Sequence, residues 1–512
     1  MGSTGVASAK LAHAPQYNPA LLSTANPEDD FAMVFPQFGI IVADEDEFIE
    51  TAKGLTDDDY KNFDESLIDH FTTITENLEV NLSSLESDIA GLTIPANVKA
   101  LDANDISTLK DQTNNLQAGL QGFTANTADL KETTFDLTSR FDQLSASGLR
   151  INAGLNATLA IPSKSFGAAL SFNNNVLASG RTIFTEEDQN LINAYAAGVD
   201  EYSNLTNEYV TATNELINSV EAFNASTPAN LAANTAAVEA NEAAVDLKKD
   251  ELDSYTKQAN GQTIISVNNG NIVVDEDPEL TSLVNVVAMA ISELGLTLSR
   301  SFNIAGEDIA FGITPKLQTI RTYNYVAALE DDEDIDSEDV EETAQDFSDF
   351  NLDAGIAYQF GADKQWQAGL VAKNLLSKEY EAESNGFGPV NPVTGQQETL
   401  KTTISLDTQF RGGISHTTDW SVVAIDLDLM ENDPVAFEAP TQYASIGAEF
   451  DLYDLFQFRA GYRTNLSVDD ASVVSAGLGF SPFGVHLDLA AMVNPSDPEK
   501  EVGAAMELGF YF

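Results

Sequence analysis

Cysteine is absent from all 512 residues, which removes disulfide frameworks, thiol catalysis and cysteine-ligated zinc together. Histidine is scarce, with four in the chain, and no serine-elbow or metal-ligand motif accompanies them. Cations are scarce too: 24 Lys+Arg stand against 81 Asp+Glu, a formal charge of -57. Neutralising phosphates needs clustered Lys and Arg, so nucleic acid is excluded as a partner. The acid excess suits a saline exterior, where carboxylates stay hydrated and screened, or a generally acidic proteome. No run of about 18 apolar residues exists, so no transmembrane helix is available. No signal peptide is visible either, because Met1-Gly2-Ser3-Thr4-Gly5 runs straight into polar sequence. That leaves a cytosolic chain or a processed form with its signal peptide removed.

What the chain does have is two-residue alternation. Val502, Ala504, Met506, Leu508, Phe510 and Phe512 fall on one face of the last segment, against Gly503, Ala505, Glu507, Gly509 and Tyr511. Phe456, Phe458, Ala460 and Tyr462 oppose Gln457, Arg459, Gly461 and Arg463, and Ile404, Leu406 and Phe410 oppose Ser405, Asp407, Gln409 and Arg411. An antiparallel sandwich also alternates, so this pattern alone does not separate a water-facing sheet from a lipid-facing one.

Connection length does separate them. About 14 candidate strands, each roughly 10–14 residues, match what a tilted membrane crossing needs. They lie near 31–43, 148–161, 165–176, 290–302, 307–326, 350–361, 364–376, 402–416, 419–430, 441–452, 454–466, 472–481, 484–494 and 501–512. Every second connection is a tight turn. The intervening ones, 44–147, 177–289, 327–349, 377–401, 431–440, 467–471 and 495–500, are long or acidic. Short periplasmic turns and longer external loops, on an even strand count, are the outer-membrane pattern. The expectation is an all-β transmembrane barrel of about 14 antiparallel strands, embedded in outer-membrane lipid, carrying large α-helical coiled-coil insertions on the extracellular side. The strands decide for the processed form.

Two stretches change period. Ile106, Leu109, Thr113, Leu116, Leu120, Phe123, Thr127, Leu130, Thr134, Leu137, Phe141 and Leu144 follow spacings of three and four, a heptad seam of about 40 residues or roughly 60 Å of helix. Leu67, Phe71, Ile74, Leu78, Leu82, Leu85, Ile89 and Leu92 form a matching stripe, and Gly91 and Pro95 break between them, which predicts an antiparallel helical hairpin over 44–147. The second insertion, 185–286, opens on Thr185 followed by three acids, an N-cap pattern. It carries Leu191, Tyr195, Tyr202, Leu205, Tyr209, Leu216, Val220 and Phe223, then Val238, Val245 and Leu252 at a seven-residue repeat. Residues 262–275 read as a small β-hairpin. Both insertions are expected to pack as a four-helix bundle above the barrel. The rest divides into a hatch at 1–30, first strands at 31–43 and 148–184, and the remaining strands at 287–512.

The N-terminal Gly2-Ser3-Thr4-Gly5-Val6-Ala7 and Asn18-Pro19-Ala20 resemble the glycine-rich start and Asn-Pro-Ala element of FadL-like barrels, which transport long-chain fatty acids and other hydrophobic compounds. The chain is more similar still to the conjugal-transfer TraF-like outer-membrane family, through Pro36-Gln37-Phe38-Gly39, Leu452-Tyr453-Asp454, Phe458-Arg459-Ala460-Gly461-Tyr462-Arg463 and the stretch from Ser481 to Ala490. The resemblance covers about 45 N-terminal residues and most of 290–512, and leaves the helical insertions unexplained. It implies a 14-stranded barrel whose N-terminal segment folds into the lumen as a hatch, with Gly2, Gly5, Asn18, Pro19 and Ala20 as the hatch motif. It also implies that Phe510 and Phe512 are the signal the barrel-assembly machinery reads.

No enzyme is expected. The inward faces carry Asp407, Arg411, Asp426, Asp428, Glu449, Arg459, Arg463, His486, Asp488 and Glu507, and a lumen that buries charge must pair it. Arg459 and Arg463 are expected to face Glu449 and Asp488. No cofactor is called for. The acidic run holding Asp331, Asp332, Asp334 and Asp336 lacks the central glycine of an EF-hand; a solvated loop and weak Ca²⁺ or Mg²⁺ binding are its two readings. Two functions compete: a gated conduit for a small hydrophobic ligand, and a surface structural or adhesive protein whose helical head meets an extracellular protein or self-associates.

Overall fold

The computed structural model describes residues 1–24, 30–44, 47–48, 63–268, 271–276, 278–328, 337–390, 397–453 and 455–511; the side chains at 63–75, 129–133, 135–136, 146, 337, 389–390 and 398 lie outside that description. Fourteen strands close into one antiparallel barrel. In chain order they are β1 (Ala32–Ala43), β2 (Leu149–Ile161), β3 (Gly167–Ile183), β7 (Leu283–Ile304), β8 (Glu307–Ala328), β9 (Gln345–Phe360) and β10 (Trp366–Lys373), then β13 (Gln409–Thr417), β14 (Ser421–Asp428), β15 (Tyr443–Leu452), β16 (Phe456–Asn465), β17 (Ser472–Phe480), β18 (Val485–Val493) and β19 (Glu501–Tyr511). β1 pairs with β19 on one side and β2 on the other, which removes every free edge.

The alternation has a physical cause on each face. Large apolar residues such as Leu155, Phe172, Leu294, Phe311, Leu370, Ile414, Ile425, Ile446, Phe458 and Leu478 are exposed around the outside. Polar residues such as Thr158, Ser171, Thr297, Thr314, Gln318, Ser415 and Gln457 are buried within. A water-soluble fold inverts this arrangement; a lipid-facing wall requires it. Aromatic residues gather at the short-turn end, where Phe360 stacks on Trp366, Trp420 on Phe450, and Phe456 meets Phe480. Tyr453 and Phe483 cap two of those turns, 95% and 99% exposed, as an interfacial aromatic girdle does.

Two corrections concern the long-connection end. Residues 402–416 are not one barrel strand. Gln397–Leu406 (β12) pairs with Lys378–Val390 (β11) in a separate hairpin, and only Gln409–Thr417 enters the wall. Ile404 and Leu406 alternate because this hairpin also buries one face, with Tyr380 and Ala382, against Val287, Met289, Ile291 and Ile320 on the inner side of β7 and β8. Asp407 accordingly sits in the link between β12 and β13, not on the wall. Buried Thr322 and Asn324 hold the hairpin's backbone, donating to Glu381 O at 3.0 Å and Ala382 O at 3.2 Å.

The connection from β14 to β15 crosses to the far side of the ring, where Phe437 N meets Ser179 Oγ at 3.2 Å and the Arg181 guanidinium lies 4.0 Å from the Phe437 ring. Hairpin and crossing loop together cap the mouth.

The helices beyond the short α1 (Ala14–Tyr17) are α2 (Phe63–Gly91), α3 (Ala103–Asn126), α4 (Ala128–Ala146), α5 (Glu186–Asn224), α6 (Leu231–Asp253) and α7 (Ser337–Glu342). Every described residue of the 106–144 stripe is buried, yet the helix is interrupted at Thr127, so the single seam is two helices. Asp102 starts α3 with a capping box, accepting from Asn104 N and Asp105 N while Asp105 returns to Asp102 N. Leu67, Phe71, Ile74 and Leu130 lie outside the described side chains. Both insertions contribute to one apolar core, from Leu78 through Leu144 and from Leu191 through Leu252. Residues 256–274 form a three-stranded sheet, β4 (Thr256–Ala259), β5 (Gln262–Asn268) and β6 (Asn271–Val274), that joins this core.

Candidate functional site

The first 24 residues fold inside the barrel. Each hatch residue has a mechanical task there. Asn18 caps the 3-10 turn Pro19–Ser23 by accepting from Ala20 N at 3.1 Å. Its amide also donates to Val6 O at 3.0 Å and to Ile356 O of the wall at 3.1 Å, so one side chain ties loop, turn and barrel together. Pro19 occupies the first position of the turn, where a missing N–H costs nothing. Ser299 Oγ on β7 donates to Ala20 O at 3.1 Å. Gly5 lies under the Tyr17 ring, where a Cβ would fall 2.1 Å from ring carbon, and Gly2 holds φ +59°.

The wall is shaped to receive this segment. Gly312 and Gly355 are directly opposed on β8 and β9, Gly369 and Gly413 on β10 and β13, Gly447 and Gly461 on β15 and β16. A Cβ at Gly312 would meet Pro19 C at 2.3 Å, at Gly355 Asn18 Oδ1 at 2.0 Å, and at Gly369 Val6 O at 2.3 Å. At Gly447 it would meet Met1 O at 2.2 Å, and at Gly461 Gly2 N at 2.1 Å. These glycines form a groove that only bare backbone can line.

The inward charges sort into pairs. Asp426 accepts from Gly5 N at 2.7 Å and Val6 N at 3.0 Å, which makes it the anchor of the hatch's start. Arg411 Nε lies 3.3 Å from Asp428 and 3.9 Å from Asp426. Arg459 bridges Glu449, at 2.6 Å, and Asp488. Glu507 receives His13 Nε2 of the hatch at 2.8 Å. Arg463 departs from expectation: it pairs with Glu501 and lies over the Tyr443 ring at 4.4 Å. His486 stands edge-on to Tyr511, their centroids 4.4 Å apart. Phe510 is on the outward face of β19, opposite Val485 and Met33. Phe512 and the acidic run with Asp331, Asp332, Asp334 and Asp336 lie outside the described residues.

Sequence reasoning missed the glycine groove, Tyr17, and a second ion cluster in which Lys316 meets Glu293 at 2.9 Å and Asp353 at 3.0 Å. An inward glycine recurring on adjacent strands was the available signal, but it acquires meaning only once strand register is known. Tyr17 lines three lumenal cavities at once. One, about 410 Å³, lies between the hatch and the small-residue wall of Gly39, Ala490, Ala504 and Ala505 and is mainly apolar. A second, also about 410 Å³, surrounds Glu449, Arg459 and Asp488. The third, about 490 Å³, lies between hatch and cap.

A closed, lipid-facing barrel filled by its own N-terminal segment is an outer-membrane-type barrel with an internal hatch. The family model described as "F plasmid transfer operon, TraF, protein" matches residues 15–428, and the chain belongs to that family. No curated protein sequence matches it. Among solved structures it is similar to a monoaromatic hydrocarbon channel, a TodX deltaS2S3 mutant, at 9% identity and TM-score 0.44, covering 100% of this chain and 97% of that one. The Pseudomonas putida toluene transporter TodX follows at 9% identity and TM-score 0.38, with 100% and 99% covered. A Pseudomonas aeruginosa FadL homologue gives 10% identity and TM-score 0.39, with 99% and 96% covered.

Proposed function

We propose that the protein is a gated conduit for small hydrophobic compounds across the outer membrane, with residues 1–24 as the gate. The observation that carries this reading is the mainly apolar cavity between Met1–Ser3, Tyr17 and the alanine–glycine wall of β1, β18 and β19. A cavity of that size accommodates a compact apolar molecule, and its neighbour, residues 1–24, is tied to the wall by side-chain hydrogen bonds and ion pairs rather than by strand pairing. Deleting residues 1–24 should raise the uptake of a neutral aromatic probe into liposomes carrying the barrel, while heat-modifiable gel migration stays that of a folded barrel. Unchanged uptake sinks the gate.

A second reading rests on a different observation. The insertions build their own apolar core, separate from the barrel's, and stand at the long-connection end. In that reading the barrel anchors an extracellular head that meets a partner protein or another copy. Removing 57–146 and 186–260 should then leave assembly intact and abolish contact between cells.

A further inference from the structure

The third cavity lies between the hatch and the cap. Its floor is the hatch, at Val6, Pro15, Gln16 and Tyr17; its roof is the cap, at Leu406, Asn432 and Thr441. Charged and amide side chains interrupt its apolar lining: Lys316, Lys373 and Arg411 face it, and so do Glu293, Asp353 and Asp428. Lys373, at the inward end of β10, makes no ion pair or hydrogen bond among the described residues, although Asp353 lies on the adjacent strand. That carboxylate is already taken by Lys316 at 3.0 Å and Asn374 N at 2.9 Å. Arg411 sits on the next strand, diagonal to Lys373 in register, since Val371 pairs with Arg411 and Lys373 with Gln409. Its Nε is buried with no hydrogen-bond partner, but it lies 3.3 Å from Asp428 and its Nη2 donates to Ser445 Oγ at 3.3 Å, so Arg411 is already engaged.

The wall across the lumen carries amides. Asn156 and Asn173 are directly opposed on β2 and β3, and Asn175 is the next inward residue on β3. None of the three side chains makes a hydrogen bond among the described residues, and the buried Asn173 Oδ1 has no partner. Unmade hydrogen bonds of buried polar groups cost free energy, so a space lined by several of them favours a ligand that makes them. The unpartnered Lys373 ammonium on one wall suits a carboxylate; amides on the other suit hydroxyls, which both donate and accept.

We propose that this chamber between hatch and cap binds a small hydroxylated organic acid, with Lys373 receiving its carboxylate and Asn156, Asn173 and Asn175 its hydroxyls. The site deepens the conduit reading and rests on it, because the hatch forms its floor. It gives the lumen a second compartment, with polar recognition groups, beside the mainly apolar one. About 490 Å³ holds a single sugar acid.

The test is equilibrium dialysis of the full chain in detergent against D-glucuronate, with D-glucose and benzoate as comparisons lacking one half of the recognition. Saturable glucuronate binding is expected, with Lys373→Gln and Asn173→Val each weakening it at least about 10-fold, the scale of one lost charge-assisted or buried hydrogen bond. Glucose and benzoate should each bind more weakly by a similar factor. Heat-modifiable migration of both variants establishes that they are folded. No saturable binding by the parent protein overturns the proposal, as does parental affinity in folded Lys373→Gln, or benzoate binding as tightly as glucuronate. Binding at equilibrium requires no passage, so a failed liposome experiment with bound glucuronate removes the gate and keeps the site.

Discussion

Replacing Gly312 by Ala puts one methyl group where the hatch backbone already lies. The new Cβ would stand 2.3 Å from Pro19 C and 2.4 Å from Ala20 N. Ordinary contact is about 3.5–4 Å, so the turn at Pro19–Ser23 must retreat by roughly 1.5 Å. Both obstructing atoms are backbone, so no rotamer change relieves the overlap. Overpacking of this kind costs about 1–3 kcal/mol. The retreat also breaks Ser299 Oγ to Ala20 O at 3.1 Å and strains Asn18 Nδ2 to Ile356 O at 3.1 Å, each bond worth about 1 kcal/mol. A total near 3 kcal/mol multiplies the undocked hatch population by about 150.

The matched control is Gly412→Ala, whose Cβ meets only Leu429 carbons and Gly369 O at 3.7 Å or more, on the outward face. Limited proteolysis of the folded barrel reads the result, since an undocked segment 1–24 is cut and a docked one is protected. Gly312→Ala should be clipped far faster than Gly412→Ala, with unchanged heat-modifiable migration. Equal protection in the two variants would falsify the groove.

The other predictions concern the helical head. Asp188 is buried at the start of α5 and accepts from Thr281 N at 2.9 Å, Thr281 Oγ1 at 3.0 Å, Ser282 N at 2.7 Å and Ser282 Oγ, clamping the head to the segment that enters β7. Asp188→Ala strands one buried and one part-buried amide at roughly 1–3 kcal/mol each, so the helical circular-dichroism transition should fall by about 6–12 °C while the barrel's remains; a shift of less than about 2 °C refutes the clamp. Alkaline pH provides the third test. Burial in the head pushes Tyr209 up to about 12, and raises Tyr195, Tyr202 and Tyr255 further still, with nearby carboxylates adding to the effect. A folded-state value above the unfolded one, about 10, means the neutral phenol contributes stability that is complete below about pH 10 and is lost as pH rises through the folded value. Phenolate absorbance should therefore rise in two stages, the later one coinciding with loss of helix. A single stage near pH 10 with the head intact contradicts the burial.

Legibility followed the physics of each feature. The wall was readable because lipid demands an apolar side chain at every second position, whatever the neighbours are; Leu155, Phe311 and Ile425 are exposed for that reason alone. The 106–144 stripe was readable because helical burial depends on spacing within one segment. The cap was not readable. Ile404 and Leu406 bury one face as a barrel strand does, and only the partner, β11 rather than β10, tells the two apart. Arg463 was assigned the acids of nearby strands, whereas its long side chain reaches Glu501, two strands beyond β17.

By itself the sequence determined the closed barrel, its strand number, the end at which its loops are short, and the identity of the segment that begins as Gly2-Ser3-Thr4-Gly5. Each of these depends on local period or on connection length, which a chain carries before it folds. The tertiary structure alone decided what fills the barrel. A glycine such as Gly312 is a weak strand residue until Pro19 lies 2.3 Å from its missing Cβ, and Lys373 is an ordinary lumenal cation until its neighbouring carboxylate proves to be taken. Register brings residues hundreds of positions apart to within ångströms, and register is set by all fourteen strands closing together.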